Sequence, residues 1–187
     1  MKQKLKRFSA LALMLVLTIL LLTGCATEEV DLSSLEQVND LIEDENTDFA
    51  KYTHTTGVSF KYPSTWVSVG NEEQPMFLNS DGTGSSVNLV TEKLPSGIDF
   101  ERYINISKVN IKAQMDVSGE IEQEEIALNG AVAYKLSYEA ETEGVSLKLV
   151  QIAINVADTV HILTVGSRAE DYAAISDVLE NIISSFK

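Results

Sequence analysis

The chain has 187 residues, and its 28 Asp and Glu residues outnumber its 14 Lys and Arg residues, which gives a formal net charge of −14. An acidic chain of this kind repels the phosphates of nucleic acids, so no nucleic-acid partner is expected. Its single cysteine excludes an internal disulfide, so the fold must rest on an apolar core, and the length fits one domain.

The N-terminal segment is typical of a secretory signal peptide. Residues 2–7 carry four basic side chains, and an apolar run follows from about Leu11 to Leu22. The run ends in Leu22-Thr23-Gly24-Cys25, which resembles the lipobox of bacterial lipoproteins. The resemblance implies cleavage after residue 24 and lipid attachment to the sulfur of Cys25.

Two other interpretations of this segment are open: a plain signal peptide with an incidental cysteine, and a membrane-spanning anchor. The apolar run is short for a span, which needs ~20 residues, and a lone thiol is unusual in an exported chain. Lipidation explains both observations. We therefore predict a lipoprotein signal peptide over residues 1–24 and a lipid anchor at Cys25, on the extracytoplasmic face of the cell membrane.

Residues 25–48 are predicted to form an acidic tether between the anchor and the domain. They include no basic residue, and like charges keep such a segment extended and solvated. Apolar residues recur at helical spacing from Leu32 to Ile42, so a short amphipathic helix is the alternative. Isolated short helices are marginal in water, which favours the spacer.

A globular domain is predicted over residues 49–187, and its first half reads as strands and one helix. The alternation over Val58–Tyr62 predicts a half-buried strand, and Trp66 just after it is expected to seal the edge of the core. Another strand is expected over Val87–Leu94. Asp99 then stands at the N-cap position of a helix that continues to about Ile111.

The second half of the domain reads as a run of strands closed by a helix. The predicted strands are Ile121–Leu128, Val132–Tyr138, Val145–Val156 and Thr159–Val165. Asn129-Gly130 is the strongest hairpin signal and joins the first two. Ser167 and Glu170 fit a capping box that would begin the last helix. Hairpin-connected strands with helices laid on them predict an α+β fold, an antiparallel β-sheet flanked by helices.

Several short motifs of this domain resemble PsbP-like domains. They are Phe60-Lys61-Tyr62-Pro63-Ser64-Thr65-Trp66, Ser86-Val87-Asn88-Leu89-Val90, the Asn129-Gly130 hairpin with Ala133-Tyr134, and Ile183-Ser184-Ser185-Phe186. The resemblance covers residues 49–187 and implies a PsbP-like sandwich with a central antiparallel sheet. In photosynthetic relatives it implies an extrinsic subunit that docks on a membrane complex and supports its metal cluster. Bacterial lipoproteins that resemble the family are mostly of unassigned function.

No residue pattern in the chain predicts catalysis or a metal site. His54 and His161 lack metal-ligand spacing and are interpreted as isolated structural histidines. Ser64 lacks the Gly-x-Ser-x-Gly turn that exposes a nucleophile. The Asn79–Gly84 loop resembles a calcium loop but has apolar Val90 where the last ligand would stand. We therefore predict no enzyme, no cofactor and no metal.

Glu120, Glu122 and Glu124 form the candidate interaction face. Alternate residues of a strand project to the same side, so these carboxylates are expected to lie together. They could meet a basic partner or hold a hard cation weakly. The alternative is a charged strand edge that prevents aggregation.

These observations predict a membrane-anchored lipoprotein of the cell envelope that acts as a non-enzymatic binding or scaffold module. The expected partners are the membrane, through Cys25, and an envelope protein. The alternative is an accessory factor that binds a divalent metal or a small ligand. A hydrolase ranks third.

Overall fold

The computed structural model describes residues 48–187 as nine strands and two helices. The predicted signal peptide, Cys25 and all of the tether except Asp48 lie outside these residues. Neither helix of residues 48–187 combines the length and the hydropathy needed to cross a membrane.

The strands form one large sheet and one small one. In chain order the elements are β1 (Phe49–Thr53), β2 (Ser59–Pro63), β3 (Val67–Ser68), β4 (Met76–Leu78), β5 (Ser86–Lys93), α1 (Phe100–Gln114), β6 (Asp116–Leu128), β7 (Ala131–Thr142), β8 (Val145–Val156), β9 (Thr159–Arg168) and α2 (Tyr172–Ser185). Seven strands pair antiparallel in the order β3-β4-β5-β9-β8-β7-β6, and β1 and β2 form a separate antiparallel hairpin. The predicted α+β class is confirmed.

The core has two halves, one on each face of the seven-stranded sheet. On the first face α1 packs Tyr103 and Ile104 against side chains of β6, β7 and β8. On the second face the β1–β2 hairpin and α2 bury Phe60, Leu179 and their neighbours. Trp66, 6 % exposed, belongs to this second half, as expected for a ring that seals the end of a strand. We call the two sides the α1 face and the hairpin face.

Local signals located most of the turns and the first helix cap. Asn129 and Gly130 both adopt positive φ (51° and 80°), the conformation that a tight hairpin turn requires, and they join β6 to β7. The Asp99 carboxylate accepts the N–H of Arg102 at 2.8 Å, so it caps α1 as predicted.

Several element boundaries differ from the prediction, most of all the start of α2 and the start of β6. The capping box at Ser167 and Glu170 is wrong: Ser167 lies in β9, α2 begins at Tyr172, and Asp171 is its N-cap residue without a side-chain cap. The ladder to β8 extends β9 through Arg168, so sheet pairing overrides the local helix signal. Strand β6 also begins five residues earlier than predicted, because its first residues pair with the end of β7.

Candidate functional site

A cleft of about 370 Å³ opens beside the end of the β1–β2 hairpin. The residues that line it come from three places, the hairpin, the loop before β4 and the second half of β5. They are His54, Thr55, Glu72, Glu73, Gln74, Val90 and Thr91. Its volume is within the range of small-ligand sites, ~300–1,000 Å³, and six of its seven lining residues carry a polar side chain.

Two histidines that are far apart in the sequence meet under this cleft. His54 follows β1, His161 lies in the middle of β9, and their ring centroids are 6.2 Å apart in an edge-to-face arrangement. Both rings are buried. The interpretation of the two histidines as isolated is therefore wrong, because the hairpin folds over the sheet and brings them together. No local signal could have predicted the pair.

Each ring is held through its Nδ1 atom by a threonine hydroxyl. Nδ1 of His161 lies 3.0 Å from Oγ1 of Thr91, its partner across the β5–β9 ladder, and Nδ1 of His54 lies 2.8 Å from Oγ1 of Thr56. Burial, and then the proximity of His54, lowers the pKa of His161 from 6.5 to about 4. The His161 ring is therefore neutral at physiological pH and positions Thr91 at the cleft.

The loop that forms the acidic wall of the cleft is held in place by its own hydrogen bonds. Asn71 Oδ1 accepts the backbone N–H of Glu73 at 3.0 Å and that of Gln74 at 2.9 Å. Gly70 lies so close to the backbone of Gln74, Pro75 and Met76 that a side chain there has no room. The cleft is thus preformed, with Glu72 and Glu73 in its wall and no Lys or Arg in its lining.

The described residues do not gather a metal centre here. Nowhere in residues 48–187 do three or more His, Cys, Asp or Glu side chains gather to hold a metal ion. The hydroxyl of Ser64 is 3.3 Å from the carbonyl oxygen of Asp48, to which it donates, so it fixes the start of the hairpin. Hydrogen bonding to a ligand is what the cleft offers chemically.

The three glutamates predicted as an interaction face are in two different settings. A break in register between Ser118 and Glu122 interrupts β6, and Glu120 lies within it. The Glu120 carboxylate accepts a hydrogen bond from Lys112 of α1 at 2.6 Å, and this contact lowers its pKa. Glu122 and Glu124 are exposed and lie opposite Ser137 and Lys135 of β7.

The register of β6 and β7 adds carboxylates that the sequence reading did not include. Residues directly opposite each other in an antiparallel pair share a face, so Asp116 joins Glu141, and Glu139 lies across from Ser118. We call the exposed set on the hairpin side the acidic face: Asp116, Glu122, Glu124, Glu139 and Glu141. Counting residues outward from the Asn129-Gly130 turn would have indicated Glu139 and Glu141.

Two lysines border the acidic face, and both are directed to α2. The ammonium of Lys135 lies 3.8 Å from a carboxylate oxygen of Glu180. That of Lys148 lies 4.7 Å from the centre of the Tyr172 ring, a cation–π distance. The carboxylates of the face therefore keep much of their negative charge for an outside partner.

The fold and the sequence lead to one family. A family model described as PsbP-like protein matches residues 10–187. The chain belongs to the PsbP-like family. The resemblance predicted from the motifs is confirmed, and the sheet with two helices is the PsbP-like fold. No curated protein matches the chain.

Solved structures that share this fold include the following three. Cyanobacterial PsbP (CyanoP) from Synechocystis is 15% identical over 77% of this chain and 95% of its own, with a TM-score of 0.59. The Ran-binding protein Mog1p of Saccharomyces cerevisiae is 9% identical over 76% and 96%, with a TM-score of 0.53. LpqN of Mycobacterium tuberculosis is 13% identical over 75% and 91%, with a TM-score of 0.51. At these identities the likeness shows the fold alone.

Proposed function

We propose that this PsbP-like chain is an exported lipoprotein, anchored at Cys25, that works as a non-enzymatic binding module on the outer face of the cell membrane. The lipobox-like Leu22-Thr23-Gly24-Cys25 supports the anchor. The structure of LpqN is described as that of a protein involved in cell envelope biogenesis, and Mog1p is described as Ran-binding. The description of Mog1p supports a binding role for this fold, and that of LpqN supports a place in the cell envelope.

The acidic face is the observation that carries the binding role. It presents five carboxylates on one exposed surface, beside lysines that contact α2. Such a surface attracts a partner with a basic surface, and the attraction weakens with salt. Anchoring would confine the module near other envelope proteins and raise its effective concentration, so that a weak contact suffices.

The test compares two charge-matched variants of the lipidated protein. Glu122→Gln with Glu124→Gln neutralises the centre of the face, and Glu101→Gln with Asp177→Asn makes the same charge change on the two helices. We expect the first variant to lose salt-sensitive capture of the membrane partner in crosslinking and co-purification, while the second keeps it. Equal capture by both variants, or capture that ionic strength does not change, would contradict the proposal.

Glu120→Gln separates the predicted trio further. Because the Glu120 carboxylate is already engaged by Lys112, we expect this change to reduce capture less than Glu122→Gln does. Unfolding midpoints of all variants serve as the control for fold. If Glu120→Gln reduces capture more than Glu122→Gln does, the partner contacts the α1 side of strand β6 and not the acidic face.

The anchor has its own test. Cys25→Ser should abolish labelling with a radioactive or clickable fatty acid and shift the protein out of the membrane fraction, or leave it as an uncleaved precursor. A variant that is cleaved at the same bond and still sediments with membranes would refute lipidation at Cys25.

A divalent-cation accessory factor is the second candidate. Glu122 and Glu124 offer two exposed carboxylates on one face, which is fewer than the three ligands of a preformed site, so only weak binding is expected. Titration calorimetry of the protein with Ca²⁺ and Mn²⁺ distinguishes it from the first. Saturable heat that disappears in the Glu122→Gln, Glu124→Gln variant would support the accessory factor. A flat titration would leave the binding module as the function of the face.

A further inference from the structure

The outer edge of β5 is covered over only part of its length. β4 pairs with Ser86–Asn88, and the N–H of Leu89 donates to the carbonyl of Pro75 at 3.1 Å. From Val90 to Lys93 no described strand pairs with this edge, although β9 pairs with the other edge throughout. The uncovered stretch coincides with the cleft, whose lining includes Val90 and Thr91.

The ladder decides which backbone groups point into the cleft. The backbone N–H of Leu89 points towards β4, where it donates to Pro75. The N–H of Leu94 points the opposite way, towards β9, and donates to the carbonyl of Asp158 at 2.9 Å. Hydrogen-bonding directions alternate along an antiparallel strand, so odd-numbered residues of β5 face outward. Thr91 and Lys93 therefore present their N–H and C=O groups at the uncovered edge. Exposed groups of this kind are a template for another strand.

The charged residues around the uncovered edge favour a positively charged ligand. Glu72 and Glu73 line the cleft together with Val90 and Thr91 of β5, and the lining includes no Lys or Arg. The ammonium of Lys93, further along the edge, donates to Oγ1 of Thr159 on β9 at 2.9 Å. The chain's own tether is acidic and has no basic residue, so these carboxylates would repel it. A second copy of this acidic chain is disfavoured for the same reason.

We propose that the uncovered edge of β5 binds an extended, basic peptide segment of a partner protein by strand addition. The backbone of the segment pairs with Thr91 and Lys93, and a Lys or Arg side chain reaches Glu72 and Glu73. The Thr91 side chain is held by His161 at 3.0 Å, so the edge is positioned before the peptide arrives. This site is separate from the acidic face and does not depend on the anchor.

The probe for this site is a blocked eight-residue peptide of alternating valine and lysine, with binding to the full mature protein measured by fluorescence anisotropy. Two peptide controls accompany it. One carries an N-methyl group on every backbone nitrogen, which removes the N–H donors from both edges of the peptide, and the other has glutamate in place of lysine. N-acetyl-lysine methylamide tests whether the cleft takes only a small amine.

We expect the first peptide to bind and both control peptides to bind at least about tenfold more weakly, the loss that one good hydrogen bond or ion pair explains. Glu72→Gln with Glu73→Gln should weaken the first peptide to the same degree, whereas Glu101→Gln with Asp177→Asn should leave its affinity unchanged.

Three outcomes would overturn the proposal. Binding of the N-methylated peptide as tightly as the first would exclude strand addition. Binding of N-acetyl-lysine methylamide as tightly as the first peptide would make the cleft a small-amine site. Absence of binding by the first peptide at millimolar concentration would mean that the edge is not a docking site at all.

Discussion

The two faces of the large sheet are closed in different ways. The hairpin face has two covers, the β1–β2 hairpin and α2, and its aromatic rings pack on one another, with Tyr62 stacked on Phe77 at 3.7 Å between centroids. The α1 face has one helix, and polar groups enter its core: Glu92 accepts a hydrogen bond from the Tyr103 hydroxyl, and Oδ1 of Asn155 is a buried acceptor without a partner among residues 48–187. The buried histidines of the hairpin face each have a threonine partner, whereas on the α1 face no described residue satisfies Oδ1 of Asn155 under the single helix.

Each face also holds a buried ionisable group whose pKa is shifted by burial in the direction that favours the neutral form. On the hairpin face burial lowers the pKa of His161, and on the α1 face burial raises the pKa of Glu92, although the hydrogen bond from Tyr103 opposes that rise. Acidification should therefore lower the free energy of unfolding through His161 and raise it through Glu92. The comparison between the faces can therefore be tested by packing mutations and by titration.

The largest effect is expected from Trp66→Ala on the hairpin face. Truncating a buried aromatic side chain costs ~3–5 kcal/mol of unfolding free energy, because the surrounding core cannot fill the space. Urea unfolding measures it. Val132→Ala, at a side chain 53% exposed, is the control and should change stability by less than ~0.5 kcal/mol. A loss below ~1 kcal/mol at Trp66 would mean that the ring does not seal this core.

A smaller loss is expected from Ile104→Ala on the α1 face. The side chain is 1% exposed, so its truncation falls in the range of ~2–5 kcal/mol. We expect the lower end, because a single helix can shift towards the sheet and reduce the cavity. A loss of stability equal to that of Trp66→Ala would show that the two faces are equally rigid. The number of elements that cover each face would then not determine how well its core adapts to a cavity.

Acid should act on the hairpin face through His161. Its folded pKa of about 4 lies below the ordinary 6.5, so between these values the unfolded chain binds a proton that the folded one does not. Stability attributable to this group is therefore complete above pH 6.5 and falls as pH drops, by at most about 1.4 kcal/mol per pH unit. His161→Asn removes this titration. The unfolding free energy of the variant, measured between pH 6.5 and 5, should therefore lack the part of the pH dependence that His161 contributes. An unchanged slope would exclude His161 as its source.

The smallest effect is expected at Glu92 on the α1 face, with the opposite sign. Its raised folded pKa means that the folded state takes up a proton at a higher pH than the unfolded chain, so acidification through that pKa stabilises the fold. Glu92→Gln keeps an acceptor for the Tyr103 hydroxyl and removes the titration. The stability difference between wild type and this variant should therefore shift in favour of wild type as pH falls from 7 towards 4.5. A shift the other way would contradict the burial argument.

The sequence by itself determined the local features of the fold. The Asn129-Gly130 turn, the Asp99 cap and the alternation over Val58–Tyr62 were all predicted, because each depends on interactions within a few residues. The pattern of the N-terminal segment and the motifs of the PsbP-like family are likewise properties of the sequence, and the family was identified from those motifs.

Only the tertiary structure decided which distant segments meet. It brought His54 next to His161, extended β9 through Ser167 against the local helix signal, and placed Glu139 and Glu141 on the same face of the sheet as Glu122. It also left the edge of β5 uncovered beyond Leu89, because β4 is only three residues long. Contacts of this kind depend on strand register and on the folding of the hairpin over the sheet, and no short window of sequence encodes either.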